Sequence, residues 1–437
     1  MRAFSFIKRS IFWINDFFHG GIVYKFYSEM NKTLKSKKDG VVIQQHALDS
    51  IINYSVTNSP FYRMYEGKRI TDFPIVDKNF LKEHMDEIKV PIERIPNQGK
   101  RPLSIQKTSG STGSPFAIPM DFMKRKRRIA EIKWFNKLIG FNSHDMLVQC
   151  RVWTNWHKKN NSQILKENII PVNIQSMDDT TLEQLCRIVK QNKAKFILAY
   201  AGWYDSLLYY IQNHPDCKKD LRTVKACISC SEALNTNTKD KMLEYAHIPI
   251  VERYSNEEGG MLGQKSLKFD NFILNHSGYY FEFLKLDSNE PAEPGELSRI
   301  VITDLYNHAF PLIRYDTGDT AVYALGDAST GGWDYIIKLY GRRLDLIFDS
   351  YGSPVHPMSF ARILKNIDGI KQWQFIQNDE TKYILKLNCD KNLDENNCKN
   401  EVKKVLGDKA EIEIEYVDEI PVLGSGKRKA VINNWRK

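Results

Sequence analysis

The chain has 437 residues, 42% of them hydrophobic and 12% aromatic. That composition rules out a disordered chain, and the length is too great for one ordinary core, so two or three domains are expected. Sixty-three basic against 53 acidic residues leave a net charge of +10 at pH 7, which favours an anionic partner such as nucleotide phosphates, nucleic acid or an acidic membrane surface.

In chain order, the first segment is basic and rich in aromatics, from Met1 to Gly21. It has no small-residue cleavage site, and Asp16 interrupts its apolar stretch, so it is not read as a signal peptide. Two readings stay open: a helix packed on the body, or an amphipathic helix on a membrane surface. Residues 1–100 read as mostly helical and irregular, with turns at Ser59-Pro60 and Phe73-Pro74. Ile105 leads into a Gly/Ser/Thr-rich loop, Thr108–Pro115, and a long helix follows over Asp121–Leu138. That helix carries the densest positive run, Lys124 to Arg128. Five consecutive charges must point all around a helix, so most are expected to face water.

From there strands and helices alternate: strand 145–151, helix 181–191, strand 195–200, helix 202–213, strand 223–229, helix 235–246 and strand 250–254. Alternation of this kind predicts a parallel sheet covered by helices. After Gly259 the pattern changes to antiparallel strands at 272–274, 279–286, 295–304 and 321–325, and 340–349 reads as one further strand. From about Val355 the order is helix, strand, strand, helix, strand and a Gly-rich loop at 424–426, a compact α+β unit.

The seven cysteines are odd in number and irregular in spacing, which excludes a disulfide scaffold and suits a reducing, cytoplasmic compartment. Cys227 and Cys230 form a lone CxxC without the second pair that zinc needs. The most apolar stretch, Phe196 to Pro215, is interrupted by Asp205 and reads as a strand and a helix, not a membrane span. No Gly-x-Ser-x-Gly elbow anchors a hydrolase triad. Basic residues are interleaved with acids and no nucleic-acid module is present, so nucleic acid is not an expected partner.

The sharpest feature is the loop Thr108-Ser-Gly-Ser-Thr-Gly-Ser-Pro115. Glycines let the backbone approach a ligand closely. Successive N–H groups form an anion nest, hydroxyls add donors, and the helix beyond favours negative charge. The Gly-Lys-Ser/Thr ending of a Walker A loop is absent.

With this loop the chain resembles the adenylate-forming (acyl-CoA synthetase-like) superfamily. Ser59-Pro-Phe-Tyr-Arg63 and Phe73-Pro-Ile-Val-Asp-Lys78 resemble its phenylacetate–CoA ligase-like branch, which includes capsule and O-antigen polysaccharide biosynthesis proteins. Further motifs follow in the family's order. Tyr254-Ser-Asn-Glu-Glu258-Gly resembles a Tyr-Gly-x-Thr-Glu motif, with Ser255 and Glu257 departing from it. By that resemblance Glu258 holds Mg²⁺ on the nucleotide phosphates and Tyr254 lies near the adenine. Ser229-Cys-Ser-Glu-Ala-Leu234 resembles the adenine-pocket turn, with Ser231 and Glu232 as candidates. Arg314-Tyr-Asp-Thr-Gly-Asp319 makes Asp319 the acceptor for both ribose hydroxyls. Tyr340-Gly-Arg-Arg-Leu-Asp345 resembles the segment joining two domains, with Arg342 toward the nucleotide and a hinge near 343–345. Pro421-Val-Leu-Gly-Ser-Gly-Lys427 resembles the C-terminal catalytic loop, with Lys427 entering the active site.

The resemblance implies an α/β fold: a large N-terminal adenylate-forming domain (1–345) with parallel sheet layers and an antiparallel subdomain, and a small mobile α+β lid (346–437). It implies that Thr108, Ser109, Gly110, Ser111, Thr112 and Gly113 hold ATP phosphates, with Mg²⁺ as metal. The implied reaction is activation of a small carboxylic acid as an acyl-adenylate with release of pyrophosphate, Glu258 and Lys427 being the catalytic pair. The acyl group then passes to an amine, for example on a sugar, or alternatively to the thiol of coenzyme A. A non-catalytic nucleotide-binding or membrane-associated scaffold is a third reading. Some relatives carry a Cys/His zinc cluster after the Tyr…Glu motif; residues 259–305 hold His276 and no cysteine, so no structural zinc is expected.

Overall fold

The computed structural model describes residues 2–107, 116–151, 153, 159–174, 178–231, 234–342, 346–355, 357–364, 367, 369–389, 393–421 and 431–435. They form two compact units. One comprises Met1–Thr108, Phe116–Thr317 and Val322–Lys338; the other takes in Gly318–Ala321 and Leu339–Lys437.

The larger unit opens with three helices, α1 (Arg2–Phe18), α2 (Ile22–Lys35) and α3 (Lys37–Asn58). Two short helices follow, α4 (Lys78–Glu83) and α5 (Met85–Ile88), then a hairpin of β1 (Ser104–Lys107) and β2 (Ala117–Met120). Asp121 starts α6 (Phe122–Lys137) by accepting the Lys124 N–H at 2.7 Å, relieving one of the unpaired donors of a first turn.

The alternating region then runs β3 (Leu147–Arg151), α7 (Asn161–Glu167), β4 (Ile169–Asn173), α8 (Asp179–Asn192), β5 (Phe196–Tyr200), α9 (Ala201–Asn213), α10 (Lys218–Leu221), β6 (Ala226–Cys230), α11 (Thr236–Ala246) and β7 (Ile250–Asn256). These strands form a parallel sheet in the order β4-β3-β5-β6-β7. Strands covered on both faces read as continuous apolar runs, as Phe196-Ile-Leu-Ala-Tyr200 does. Leu182, Leu185, Ile197, Trp203, Leu207 and Cys227 belong to the core that the helices bury. Cys227 and Cys230 stand three apart on β6, so their side chains leave opposite faces of the sheet. After β7 the chain turns back, and β8 (Gly260–Gln264) and β9 (Ile273–Leu274) extend the sheet antiparallel. A second sheet has the order β10 (Tyr279–Leu284), β11 (Leu297–Asp304), β12 (Tyr315–Ala324) and β13 (Tyr335–Arg342), with Tyr279 opposite Asp304.

The basic run corrects the expectation of a solvated face. Lys124 and Arg127 have no exposed surface. Three residues apart, they share one face of α6, and the fold brings acids to it. Lys124 Nζ lies 2.7 Å from Asp304 Oδ2 and donates to the Tyr279 hydroxyl at 3.1 Å. Arg127 pairs with Glu29 at 2.6 Å and stacks 4.1 Å from the Tyr306 ring centroid. Arg125 alone of the five is exposed.

In the smaller unit the stretch 340–349 is divided: β13 ends at Arg342, and β14 (Ile347–Phe348) pairs instead with β15 (Pro354–Val355). Then come α12 (Pro357–Leu364), β16 (Ile370–Gln377), β17 (Lys382–Cys389), α13 (Glu395–Leu406), β18 (Glu411–Tyr416) and β19 (Val431–Asn433). The sheet order is β18-β17-β16-β19, with β16 and β17 antiparallel and both outer pairs parallel. Alternate residues of β17, Tyr383, Leu385 and Leu387, pack with Phe360, Cys398, Val402 and Leu406 into a separate core.

Candidate active site

In the parallel sheet the strand order reverses direction between β3 and β5, and the carboxyl ends of strands beside such a switch point form a ligand crevice. Two sequence motifs lie at the carboxyl ends of β6 and β7. Ser231 follows β6 with φ +71°, a left-handed conformation that a residue with a Cβ adopts at a cost of about 1 kcal/mol or more. Tyr254 lies within β7, buried, its hydroxyl 3.5 Å from Thr317 Oγ1. A register shift between Tyr254 and Ser255 leads into the β7–β8 turn. There Asn256 Oδ1 accepts the Gly259 N–H at 2.7 Å, and Glu258 is only 5% exposed.

Lys78 Nζ stands 3.3 Å from Glu258 Oε1. The local chain explains how it gets there. Val76 N donates to Arg314 O at 3.1 Å and Asp316 N to Val76 O at 2.9 Å, so the segment runs parallel to the start of β12. Arg314, at φ +49°, donates from Nη2 to Glu282 Oε1 at 2.8 Å and from Nη1 to the carbonyls of Thr71 and Phe73 at 3.1 and 3.0 Å. Asp77 then caps α4 by accepting Phe80 N–H at 2.8 Å, which leaves Lys78 as the first helical residue beside Glu258. The motif reading quoted Lys78 without giving it a role. Its only signal in the sequence was an Asp-Lys pair after Pro74 at a helix start.

In the smaller unit, Asp319 and Arg342 come together, with Oδ1 3.6 Å from Nε, Asp319 largely covered and Arg342 exposed. Gly318 has φ +74°, and Thr320 Oγ1 donates to Gly341 O at 3.3 Å, which ties β12 to β13 beside the pair. Of the tryptophans on this sheet's connections, Trp203 is entirely core, and Trp153 donates from its indole to Val172 O at 3.0 Å. Thr108, Ser109, Gly110, Ser111, Thr112, Gly113, Glu232, Lys427 and the 343–345 hinge lie outside the described residues.

The donor chemistry fits the implied ligands. A nucleotide-bound Mg²⁺ takes one or two carboxylates and completes its shell with phosphate oxygens and water. Glu258 is one buried carboxylate already facing a cation. Asp319 offers a carboxylate of the kind that accepts from a vicinal diol.

Similarity to known proteins agrees with that geometry. Residues 347–434 match the CapK C-terminal domain. Protein CapK of Staphylococcus aureus is 22% identical over 453 aligned positions, covering 94% of this chain and 93% of that protein. The crystal structure of 2-hydroxyisobutyryl-CoA ligase in the postadenylation state, in complex with 2-HIB-AMP, superposes with a TM-score of 0.71 at 16% identity, over 92% of this chain and 91% of that one. The fold is that of an adenylate-forming ligase. O-succinylbenzoate coenzyme A synthetase from Bacillus subtilis, in complex with AMP, shares that fold over 75% of this chain and 67% of its own, with a TM-score of 0.54 at 15% identity. The expected α/β class, with parallel and antiparallel layers and a small α+β C-terminal unit, is therefore the observed one.

Proposed function

We propose that this protein is an AMP-forming ligase that activates a carboxylic acid with ATP, releasing pyrophosphate. The observation that carries the reading is the buried Glu258 at the strand ends, set against Lys78 on a ligase fold. The carboxylate oxygen of the acid attacks the α-phosphorus and pyrophosphate leaves, so the protein's contribution is alignment and charge stabilisation. Thr108 to Gly113 cradle the departing phosphates, Ser231, Glu232 and Tyr254 line the adenine side, and Asp319 with Arg342 holds the ribose side. Glu258 would hold Mg²⁺, which supplies charge neutralisation on the phosphates when bound. Lys427, in a C-terminal domain taken as 346–437, stabilises negative charge at the reacting centre.

For the second half-reaction we favour transfer to an amine, in capsular or O-antigen polysaccharide assembly in the cytoplasm, on the resemblance of the motifs to that polysaccharide branch. Transfer to coenzyme A is the rival, favoured by the ligase structures that share the fold. Pyrophosphate release across a panel of carboxylic acids, with coenzyme A or amino sugars as acceptors, tests both. Release that yields an amide supports the first reading and release that yields a thioester the second. Absence of both release and ATP binding would overturn the ligase reading itself.

A further inference from the structure

Helix α1 packs on the body through Phe12 and Trp13 and through its charged side chains. Lys8 Nζ donates to Leu165 O at 2.7 Å and to Asn168 Oδ1 at 2.9 Å. Arg9 donates to Ser143 O at 2.9 Å and lies 3.6 Å from Asp145. Asp16, buried, accepts the first N–H groups of α2, from Val23 at 3.1 Å and Tyr24 at 3.0 Å. The opposite side carries Phe6, Ile7, Ile11, Ile14, Phe17 and Phe18, all at least half exposed, with Phe17 at 75% and Phe18 at 77%. Residues 7, 11, 14 and 18 follow the helical spacing of one stripe. A surface helix that packs through one aromatic pair leaves its other side polar; here that side is apolar, so it is built to meet something apolar.

The charge around it says what. Residues 1–35 hold six basic and two acidic side chains. Both acids are occupied inside the fold, Asp16 on α2 and Glu29 on Arg127. Beside the stripe a cavity of about 490 Å³ is lined by Trp13, Phe17 and Tyr24 together with Arg9, Lys133 and Lys137. Burial pulls the Lys133 ammonium down to about 8, so it keeps its proton at neutral pH. An apolar stripe rimmed by cations is complementary to acyl chains under anionic headgroups.

We propose that the outward face of α1, with this cationic cavity, docks the chain on an anionic lipid surface. The stripe enters the boundary between headgroups and acyl chains, while the exposed Lys137 at the cavity meets lipid phosphates. Among the described residues no helix is long and apolar enough to cross a membrane, so attachment is peripheral. It is independent of the reaction proposed above.

The test is co-sedimentation of the full chain with phosphatidylglycerol–phosphatidylcholine vesicles and, in parallel, with pure phosphatidylcholine vesicles. Binding to the first should exceed the second by about ten-fold and weaken with added salt. The variant I11S/F17S/F18S should lose about ten-fold in vesicle binding with an unchanged thermal unfolding curve, since these side chains lie outside the core. F18S alone should lose a smaller part, which keeps the test valid if the triple variant is unstable. Absence of binding to anionic vesicles, or undiminished binding by both variants, would overturn the proposal. A dimer in solution that the variants dissociate, without any vesicle binding, would overturn it in favour of an interface between copies.

Discussion

Two lysine–carboxylate pairs lie in the same unit and behave as opposites. Lys124 and Asp304 are sealed, with no exposed surface on either side chain. Lys78 and Glu258 meet at the strand ends, at 19% and 5% exposure. The sealed pair is surrounded by fixed partners, the Tyr279 hydroxyl on one side and the Arg127–Glu29 contact along the same helix face. Parting it leaves a charge without water. The strand-end pair keeps a path to solvent, so Lys78 can give way to another cation without stranding Glu258. A buried ion pair adds little net stability, because desolvation offsets attraction, yet breaking one side of it is costly. The difference teaches that burial alone does not distinguish a charge fixed in the core from one able to change partner; access does.

The sealed pair should give the largest effect. Lys124→Met should lower the unfolding free energy by about 3–5 kcal/mol, read by urea denaturation. Adding Asp304→Leu should recover much of that loss. If the double variant is no more stable than the single one, the pair is not the unit that matters.

Burial of a neutral ring gives the next contrast. His276 stacks 4.5 Å from Trp333 and hydrogen-bonds through Nε2 to Asp334 O at 2.8 Å, and burial holds its imidazole down at about 4. His144 is held at about 4, first by burial and then by the cations Lys133, Arg9 and Lys8. An unfolded histidine takes its proton near pH 6.5, and these refuse it until about 4. The stabilisation is therefore whole above about pH 6.5 and is lost as pH falls toward 4, by about 3 kcal/mol for His276. His276→Gln should flatten that part of the stability–pH curve; an unchanged slope would show that His276 is not responsible.

At the open pair, Glu258→Gln should cut acid-dependent pyrophosphate release by about 100-fold and raise the Mg²⁺ needed. Its unfolding free energy should stay within about 1 kcal/mol. A loss of stability like that of Lys124→Met would erase the contrast between the two pairs. The smallest effect is expected in the other unit. Asp319→Ala should raise the KM for ATP by about ten-fold, the worth of one or two charge-assisted hydrogen bonds. Unchanged nucleotide affinity would remove Asp319 from the ribose.

The strand–helix alternation from 145 to 256 was legible because hydrophobic period is a local property, and the core of that parallel sheet follows from it. The stretch 340–349 was misread as one strand because β-propensity does not tell which partner strand is available. Lys124 and Arg127 were misread because the acids that seal them, Asp304 and Glu29, stand far along the chain. Lys78 went without a role for the same reason: Glu258 reaches it only through the Val76–Tyr315 bridge and the grip of Arg314.

By itself the sequence determined the element types, the α/β class and the ordered motifs that point to nucleotide chemistry, since each depends on residues close together in the chain. Only the tertiary structure decided which charges are sealed, which carboxylate faces a cation at the strand ends, and that α1 leaves an apolar stripe outward. Those are questions of burial and pairing, and burial is set by whatever distant segment the fold lays alongside.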